Sequence, residues 1–236
     1  TWTSDSLLEL TELDLDNYSL TLGSDSSDLK VNNDLIMDHD NEKLISGNAD
    51  LEFSGMLSIS EGEISSTGGS ISMSKSLSLS GGTLSISSGT FSLGGVFNKN
   101  DGNLSLYDTT LSLLSDLQWS SDTLLEIKEL QLNDKILNLV DQFSDLKIIS
   151  PLTLDHSDEK LISGPADLEF SGLVIVSAGE LSSNGGVVIF DQGLKQSGGK
   201  VEIYYSSLLF GLETEGAVSL IQTGGEFLTD STLLQL

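Results

Sequence analysis

Residues 81–95 read GGTLSISSGTFSLGG, and their pattern decides the fold class. Apolar residues alternate with serine in two short segments, Leu84–Ile86 and Phe91–Leu93, which is the period-two pattern of a strand buried on one side. Glycine stands before, between and after the two segments, and glycine turns a chain sharply because it has no Cβ atom. The stretch therefore predicts short strands joined by tight corners.

The same kind of segment recurs in both directions along the chain at a nearly constant spacing. Eleven segments begin between residues 44 and 111, so the mean step is about 6.7 residues. Their first apolar residues are Leu44, Leu51, Leu57, Ile64, Ile71, Leu77, Leu84, Phe91, Phe97, Leu104 and Leu111. Three such sides make a polygon of about 20 residues per coil. We therefore predict an all-β fold, a three-sided parallel β-solenoid.

An antiparallel meander or sandwich is the alternative, because alternating strands with glycine turns also form hairpins. Two-residue hairpin signals such as Asp101-Gly102 are rare in this chain. Sandwich strands also recur every ~8–12 residues, which is longer than the spacing found here. Both observations favour the solenoid.

The chain contains the same unit twice, at an offset of 117 residues. EKLISGNADLEFSG from Glu42 returns as EKLISGPADLEFSG from Glu159, and TWTSDSLLEL from Thr1 returns as QWSSDTLLEI from Gln118. We expect two repeat units, 1–117 and 118–236, that form one continuous solenoid, because no linker rich in proline, glycine or charge lies near Leu117. Both ends of the chain fall in register with this period, as expected of an excerpt from a longer tandem array.

The first ~40 residues of each unit have a less regular pattern. The segment LLEIKELQLNDKILNLVDQF at 124–143 contains good helix formers, whereas its first copy contains LDLDNYSLTLGSD at 13–25, which alternates like strands. Homologous segments share a fold, so we predict strands with longer corners in both copies. Pro151 and Pro165 fall at predicted corners, where a missing N–H group does no harm.

The composition is strongly acidic, with a formal net charge of −26 at pH 7 and ten basic residues that are all lysine. Nucleic-acid binding requires clustered Lys and Arg, so the charge argues against it. An anionic membrane surface would repel the chain, and no apolar run is long enough to predict membrane insertion. Cysteine is absent, which excludes disulfides and thiolate metal sites. The acidity predicts a well-solvated surface, with divalent-cation binding as the alternative.

The run at 81–95 resembles the β-helical passenger and stalk repeats of large secreted bacterial adhesins and autotransporters. The resemblance covers about half of each unit. It lies in the general pattern of apolar residues, serine and glycine and not in a fixed motif. It implies a right-handed parallel β-helix that is displayed outside the cell. Polysaccharide lyases, phage tailspikes and ice-binding proteins also use β-helices, so the resemblance bears more on the fold than on the function.

Two equivalent acidic corners supply the candidate metal ligands. Several hard oxygens at short spacing can bind Ca²⁺, although the spacing of an EF-hand loop and the GGxGxD nonapeptide are both missing. The alternative is a solvated corner, and the single histidines His39 and His156 argue against zinc. The candidate Ca²⁺ ligands are Asp38, Asp40, Glu42, Asp155, Asp158 and Glu159.

No residue set predicts catalysis. Polysaccharide-processing enzymes need acidic or basic groups that converge in a cleft, often with arginine, and the chain has no arginine. We therefore expect a protein that is not an enzyme and that needs no cofactor beyond a candidate Ca²⁺. Asn17-Tyr18-Ser19 and Asn103-Leu104-Ser105 match the acceptor pattern for N-glycosylation.

These observations predict a structural repeat of an extracellular surface fibre, filament or large adhesin. The expected partners are further copies of the chain or adjoining repeats, which continue an acidic rod end to end. At about 4.8 Å per coil, a unit of about six coils adds roughly 28 Å. The alternative is an adhesive module that binds a glycan or a cell surface through its corners, with or without Ca²⁺.

Overall fold

The computed structural model describes residues 1–211 and 220–235 as strands joined by short corners, without any helix. The first twelve strands are β1 (Leu8–Leu10), β2 (Ser19–Thr21), β3 (Leu29–Val31), β4 (Leu35–Met37), β5 (Lys43–Gly47), β6 (Leu51–Phe53), β7 (Leu57–Ile59), β8 (Glu63–Ser66), β9 (Ile71–Met73), β10 (Leu77–Ser87), β11 (Thr90–Tyr107) and β12 (Thr110–Ser121). The next eight are β13 (Leu125–Ile127), β14 (Glu129–Gln131), β15 (Ile136–Leu139), β16 (Leu146–Ile148), β17 (Leu152–Leu154), β18 (Lys160–Ser163), β19 (Leu168–Phe170) and β20 (Val174–Val176). The last eight are β21 (Glu180–Asn184), β22 (Val187–Phe190), β23 (Leu194–Gln196), β24 (Lys200–Tyr204), β25 (Ser207–Phe210), β26 (Leu220–Gln222), β27 (Glu226–Asp230) and β28 (Leu233–Gln235).

The chain divides into two compact units, Thr1–Ser115 and Asp116–Leu236. In the first unit the strands pair in parallel, and each pairing joins one coil to the next. One stack contains β1, β3, β6, β9 and β11, a second contains β4, β7, β10 and β11, and a third contains β2, β5, β8, β10 and β11. In the register, Leu51 pairs with Ile71 and Ile71 pairs with Phe91, so equivalent positions of successive coils face each other.

The second unit repeats this arrangement. One stack contains β13, β16, β19, β22, β25 and β28, a second contains β17, β20, β23 and β26, and a third contains β12, β15, β18, β21, β24 and β27. The predicted parallel β-solenoid with roughly 20 residues per turn is thus confirmed, over about 10 turns. The segment with good helix formers contributes β13, β14 and β15, because pairing with neighbouring coils overrides local propensity.

The core is a column of aliphatic side chains, one layer from each coil. Leu84 and Ile86 are fully buried, whereas Ser85 between them is partly exposed. Ten of the eleven first residues predicted between 44 and 111 are buried, and Leu104 is partly exposed. In the second unit the rings of Phe170, Phe190 and Phe210 stack through successive coils with centroids 5.2 and 5.4 Å apart. Burial of these layers is the main force that holds the coils together.

Some corners are too tight for any side chain. A Cβ atom added to Gly69 would overlap the carbonyl oxygen of Ala49, and one added to Gly89 would overlap that of Gly69. Gly47 differs, since it has a φ of +59° but no atom lies within 4 Å of its Cβ position. Neither Asp101-Gly102 nor Asn184-Gly185 forms a hairpin. Asp101-Gly102 lies inside β11, which pairs in parallel with β10, and the strands on either side of Asn184-Gly185 pair in parallel with neighbouring coils.

Aspartates at one corner join three successive coils of each unit, because each carboxylate accepts a hydrogen bond from a backbone N–H of the next coil. The Asp28 carboxylate accepts a hydrogen bond from the N–H of Asp50 at 2.9 Å, and the Asp50 carboxylate accepts one from Ser70 at 2.7 Å. In the second unit, Asp145 accepts from Asp167 at 2.8 Å and Asp167 from Val187 at 2.7 Å. We call these two series the aspartate ladders.

A polar cluster in the second unit is centred on Asp141. Its carboxylate accepts hydrogen bonds from Ser120 Oγ at 2.6 Å, Ser144 Oγ at 2.9 Å and the N–H of Phe143 at 3.0 Å. Burial opposes ionisation of Asp141, but these hydrogen bonds outweigh it and lower the pKa of the carboxyl. The first unit has Ser24 at the equivalent position, where its hydroxyl contacts Ser27 Oγ at 2.8 Å.

We expect Asp141→Ser to lower the free energy of unfolding at neutral pH, and we expect this loss to shrink in acid. A carboxyl with a lowered pKa in the folded state stabilises the protein above its unfolded pKa of about 3.9. That contribution disappears as the pH falls through the folded pKa. Urea unfolding of the wild type and the variant at a series of pH values, from neutral pH to below the ordinary aspartate pKa, measures how this loss depends on pH. The control is Asp25→Ser, which removes an exposed carboxylate, and an equal pH dependence in both variants would contradict the prediction.

Candidate calcium-binding corners

The first acidic corner, residues 38–42, joins β4 to β5 and is closed by its own glutamate. The N–H of Glu42 donates to the carbonyl of His39 at 3.1 Å, so the backbone turns back on itself. Glu42 is 2% exposed, and its Oε2 accepts hydrogen bonds from the N–H groups of Asp38 at 2.9 Å and His39 at 3.3 Å. The buried carboxylate therefore satisfies backbone donors that the turn leaves without carbonyl partners.

The second acidic corner, residues 155–159, joins β17 to β18 in the same way. Glu159 is 8% exposed, and its Oε2 accepts from the N–H groups of Asp155 at 3.0 Å and His156 at 3.2 Å. The N–H of Glu159 donates to the carbonyl of His156 at 3.2 Å. The two predicted ligands Glu42 and Glu159 thus have the same structural role, since each accepts hydrogen bonds from two backbone N–H groups of its own corner.

The remaining predicted ligands are arranged differently in the two corners. In the first corner, His39 Nδ1 lies 2.7 Å from Asp38 Oδ1 and 3.6 Å from Glu42 Oε1, so one ligand atom from each residue lies within 4.8 Å of the others. Asp40 does not belong to this group, and His39 was not among the ligands predicted from the sequence.

In the second corner, the histidine turns away from the glutamate. His156 Nδ1 lies 2.8 Å from Asp134 Oδ1, on the preceding coil, and Asp158 accepts a long hydrogen bond of 3.4 Å from Ser157 Oγ. Among the described residues, Asp155, Asp158 and Glu159 form no group with three ligand atoms close enough to share one ion. The two corners therefore share the glutamate that closes the turn, Glu42 or Glu159, but they do not share a set of metal ligands.

Calcium prefers six to eight oxygen ligands, whereas the first corner offers two carboxylates and a histidine nitrogen. One oxygen of its buried carboxylate is already hydrogen-bonded to two backbone N–H groups. The geometry favours a role in closing the corner, and calcium binding stays a prediction.

We expect Glu42→Ala to lower the free energy of unfolding by roughly 1–3 kcal/mol, because two backbone N–H groups lose their acceptor. Asp40→Ala removes an exposed carboxylate from the same corner, and we expect it to cost less than about 0.5 kcal/mol. Chemical unfolding of both variants measures the difference. Equal losses would contradict the closing role, and a saturable rise in the wild-type melting temperature with added CaCl₂ would support the ion site.

Charged side chains on the outer faces form a second repeated feature, which we call the charge ladders. Lys30 lies in register between Glu9 and Glu52, with its Nζ 2.6 Å from Glu52. The hydrogen bond to Glu52 is the main cause of a raised pKa for Lys30. These charges recur once per coil and alternate in sign, which is the sequence signal that could have revealed the ladder.

The second unit has the equivalent charge ladder. Lys147 lies in register between Glu126 and Glu169, and its Nζ is 2.6 Å from Glu169 and 4.0 Å from Glu126. The hydrogen bond to Glu169 is again the main cause of a raised pKa for Lys147. Individual exposed pairs contribute little to stability, but alternating charges favour one register between coils over others.

Among the described residues, each unit has an open polar groove, and the groove of the second unit includes Glu159 of the second acidic corner. One, of about 510 Å³ in the second unit, is lined by Glu129, Leu130, Gln131, Leu132, Asn133, Asp134, Pro151, Thr153 and Glu159. The other, of about 320 Å³ in the first unit, is lined by Glu12, Asn32, Asn33, Asp34 and Lys75. Both contain mainly side chains that suit hydration or polar ligands. Within the described residues, no helix is long and apolar enough to cross a membrane.

No family model matches this chain, and no curated protein or solved structure shows significant similarity to it. The resemblance to adhesin and autotransporter repeats therefore stays a hypothesis based on residues 81–95. The fold itself is established independently, by the parallel pairing of successive coils.

Proposed function

We propose that this chain is a structural repeat of an extracellular surface fibre, filament or large adhesin, and that it acts as an acidic rod continued by further repeats. The observation that carries the proposal is that both units contain the same contacts within their acidic corners and between successive coils. Each unit has a buried glutamate that closes one corner, and an aspartate ladder and a charge ladder at equivalent positions. The glutamate shapes a corner within one coil and the two ladders join successive coils, which is what a scaffold of stacked coils requires.

The net charge of −26 supports this role, because like charges repel neighbouring rods and keep them separate. The repeated ladders place part of this charge in ion pairs along each unit, so that the repulsion between coils of one rod is reduced. The proposal places the protein outside the cell or at its surface, where neither a cofactor nor a nucleic-acid partner is required.

The experiment compares this two-unit chain with a chain in which the 117-residue unit is repeated four times. We expect the particle length in electron micrographs to grow by roughly 24 Å for each added unit, because about 10 turns over two units give about five turns of about 4.8 Å per unit. We also expect one cooperative unfolding transition, since a continuous solenoid couples each coil to its neighbours. Particles that widen without lengthening, or halves that melt independently, would count against the proposal.

A further inference from the structure

One corner of the second unit carries an aromatic residue where equivalent corners carry small polar ones. Tyr205 follows β24 with a φ of +52°, and the equivalent corner residues Ser88, Asp108 and Ser231 have φ values of 57°, 51° and 53°. A bulky side chain at positive φ is uncommon and strained. The Tyr205 side chain gains no burial in return, because it is 65% exposed. A ligand that packs on the ring would account for an aromatic residue at this position.

The preceding tyrosine lies on the outer surface of the same coil. Tyr204 follows the buried residue Ile203, so its side chain points outward, and its hydroxyl donates to Glu202 Oε1 at 3.0 Å. Burial and then this hydrogen bond raise the pKa of Tyr204, so the phenol is neutral at neutral pH. The neutral ring is held in place by its hydroxyl, while Tyr205 beside it is exposed.

Polar residues flank Tyr204 on the neighbouring coils. Asn184 and Asp230 are the register partners of Tyr204 on the preceding and following coils, about 4.8 Å away in each direction. Asn184 is exposed, and its side-chain amide makes no hydrogen bond within the part of the chain that the structure describes. An aromatic surface with an amide and a carboxylate beside it can pack on C–H groups and hydrogen-bond hydroxyl groups at once.

The charges on this surface favour a neutral ligand. Glu202 pairs with Lys200 at 2.8 Å, and Glu180 pairs with Lys160 at 3.0 Å, so much of the acidity is already compensated. Asp230 makes its one described side-chain contact with Ser231 Oγ, and its negative charge would repel sulfated, phosphorylated or carboxylated sugars.

We propose that Tyr204, Tyr205, Asn184 and Asp230 form a binding face for a saccharide built of neutral hexoses. The rings pack on the C–H face of a pyranose, and the amide and the carboxylate bind its hydroxyl groups. The first unit lacks the two rings, since it has Ser87 and Ser88 at the equivalent positions. The face therefore belongs to the second unit, and the inference does not rest on the scaffold function proposed above.

The test uses the double variant Tyr204→Ser/Tyr205→Ser, which introduces the residues that the first unit carries at the same corner. This corner is compatible with the fold, so circular dichroism and the melting temperature should show a folded variant. The probes are soluble neutral glucan, mannan and galactan, in affinity electrophoresis and calorimetry. We expect at least one of them to bind the wild type, and the double variant to bind it at least about tenfold more weakly, which corresponds to about 1.4 kcal/mol.

Three comparisons make the result specific. Tyr107→Ser removes a tyrosine of the first unit that is 74% exposed, and we expect it to leave the affinity unchanged. A polyuronate tests for an anionic ligand, and a lysine-rich peptide tests for a basic protein partner. The proposal is overturned if no neutral saccharide binds, if the double variant binds as tightly as the wild type, or if only the polyuronate or the peptide binds.

Discussion

Leu84→Asp is expected to unfold the first unit, whereas Ser85→Asp one residue away is expected to leave it folded. Leu84 is fully buried in the aliphatic column, and a carboxylate there loses its hydration without gaining a partner. We expect a loss of about 4 kcal/mol or more, which is a large fraction of the stability of an ordinary domain. Ser85 is partly exposed on the outer face, so a charge there stays solvated and the expected change is within about 1 kcal/mol.

Urea unfolding followed by circular dichroism measures both variants under the same conditions. The two substitutions add the same charge to adjacent positions, so their difference reports the burial of position 84, both through the buried charge and through the lost packing of the leucine. Similar unfolding midpoints for the two variants would contradict the assignment of inner and outer faces.

Gly69→Ala is expected to be the second most damaging substitution, with a loss of about 3 kcal/mol or more. The added methyl group would overlap the carbonyl oxygen of Ala49 on the preceding coil, and backbone atoms cannot move aside as a side chain can. Gly47→Ala is the matched control, since its φ of +59° is unfavourable for alanine but its Cβ position is open. We expect that variant to lose only about 1 kcal/mol.

The contrast separates two reasons for which a solenoid needs glycine at its corners. Thermal and chemical unfolding of the two alanine variants give the comparison directly. If Gly47→Ala proved the more destabilising variant, the backbone conformation rather than the close approach of coils would limit these corners.

The fold was predictable from the sequence because each layer of the core repeats one simple pattern. Leu84, Ser85 and Ile86 have the burial that their alternation predicts, and the coil length follows from the mean spacing of such segments. Period-two alternation reports burial directly in a strand, so a single unit already contains the signal many times. Leu104 departs from the pattern, since it is only partly buried.

The corners were less predictable, because their chemistry depends on backbone geometry that composition does not reveal. Glu42 looks like one more solvated carboxylate in an acidic stretch, yet it is buried because two N–H groups of its own turn point at it. The predicted grouping of Asp38 with Asp40 assumed that nearby carboxylates converge, whereas the turn brings His39 beside Asp38 instead. The positive φ of Tyr205 is likewise invisible in the sequence.

The unequal lengths of successive coils indicate where this architecture can acquire new sequence during evolution. The coil that leads from Leu20 to its partner Leu44 is longer than the next one, from Leu44 to Ile64, and the strands pair in parallel in both cases. The second unit has the same difference, since the coil from Leu137 to Leu161 is longer than the coil that follows it. The longer coils include the acidic corners. Corners can therefore differ in length while the parallel pairing of the strands is kept. Insertions at such corners would give individual coils new surface loops at little cost to the scaffold.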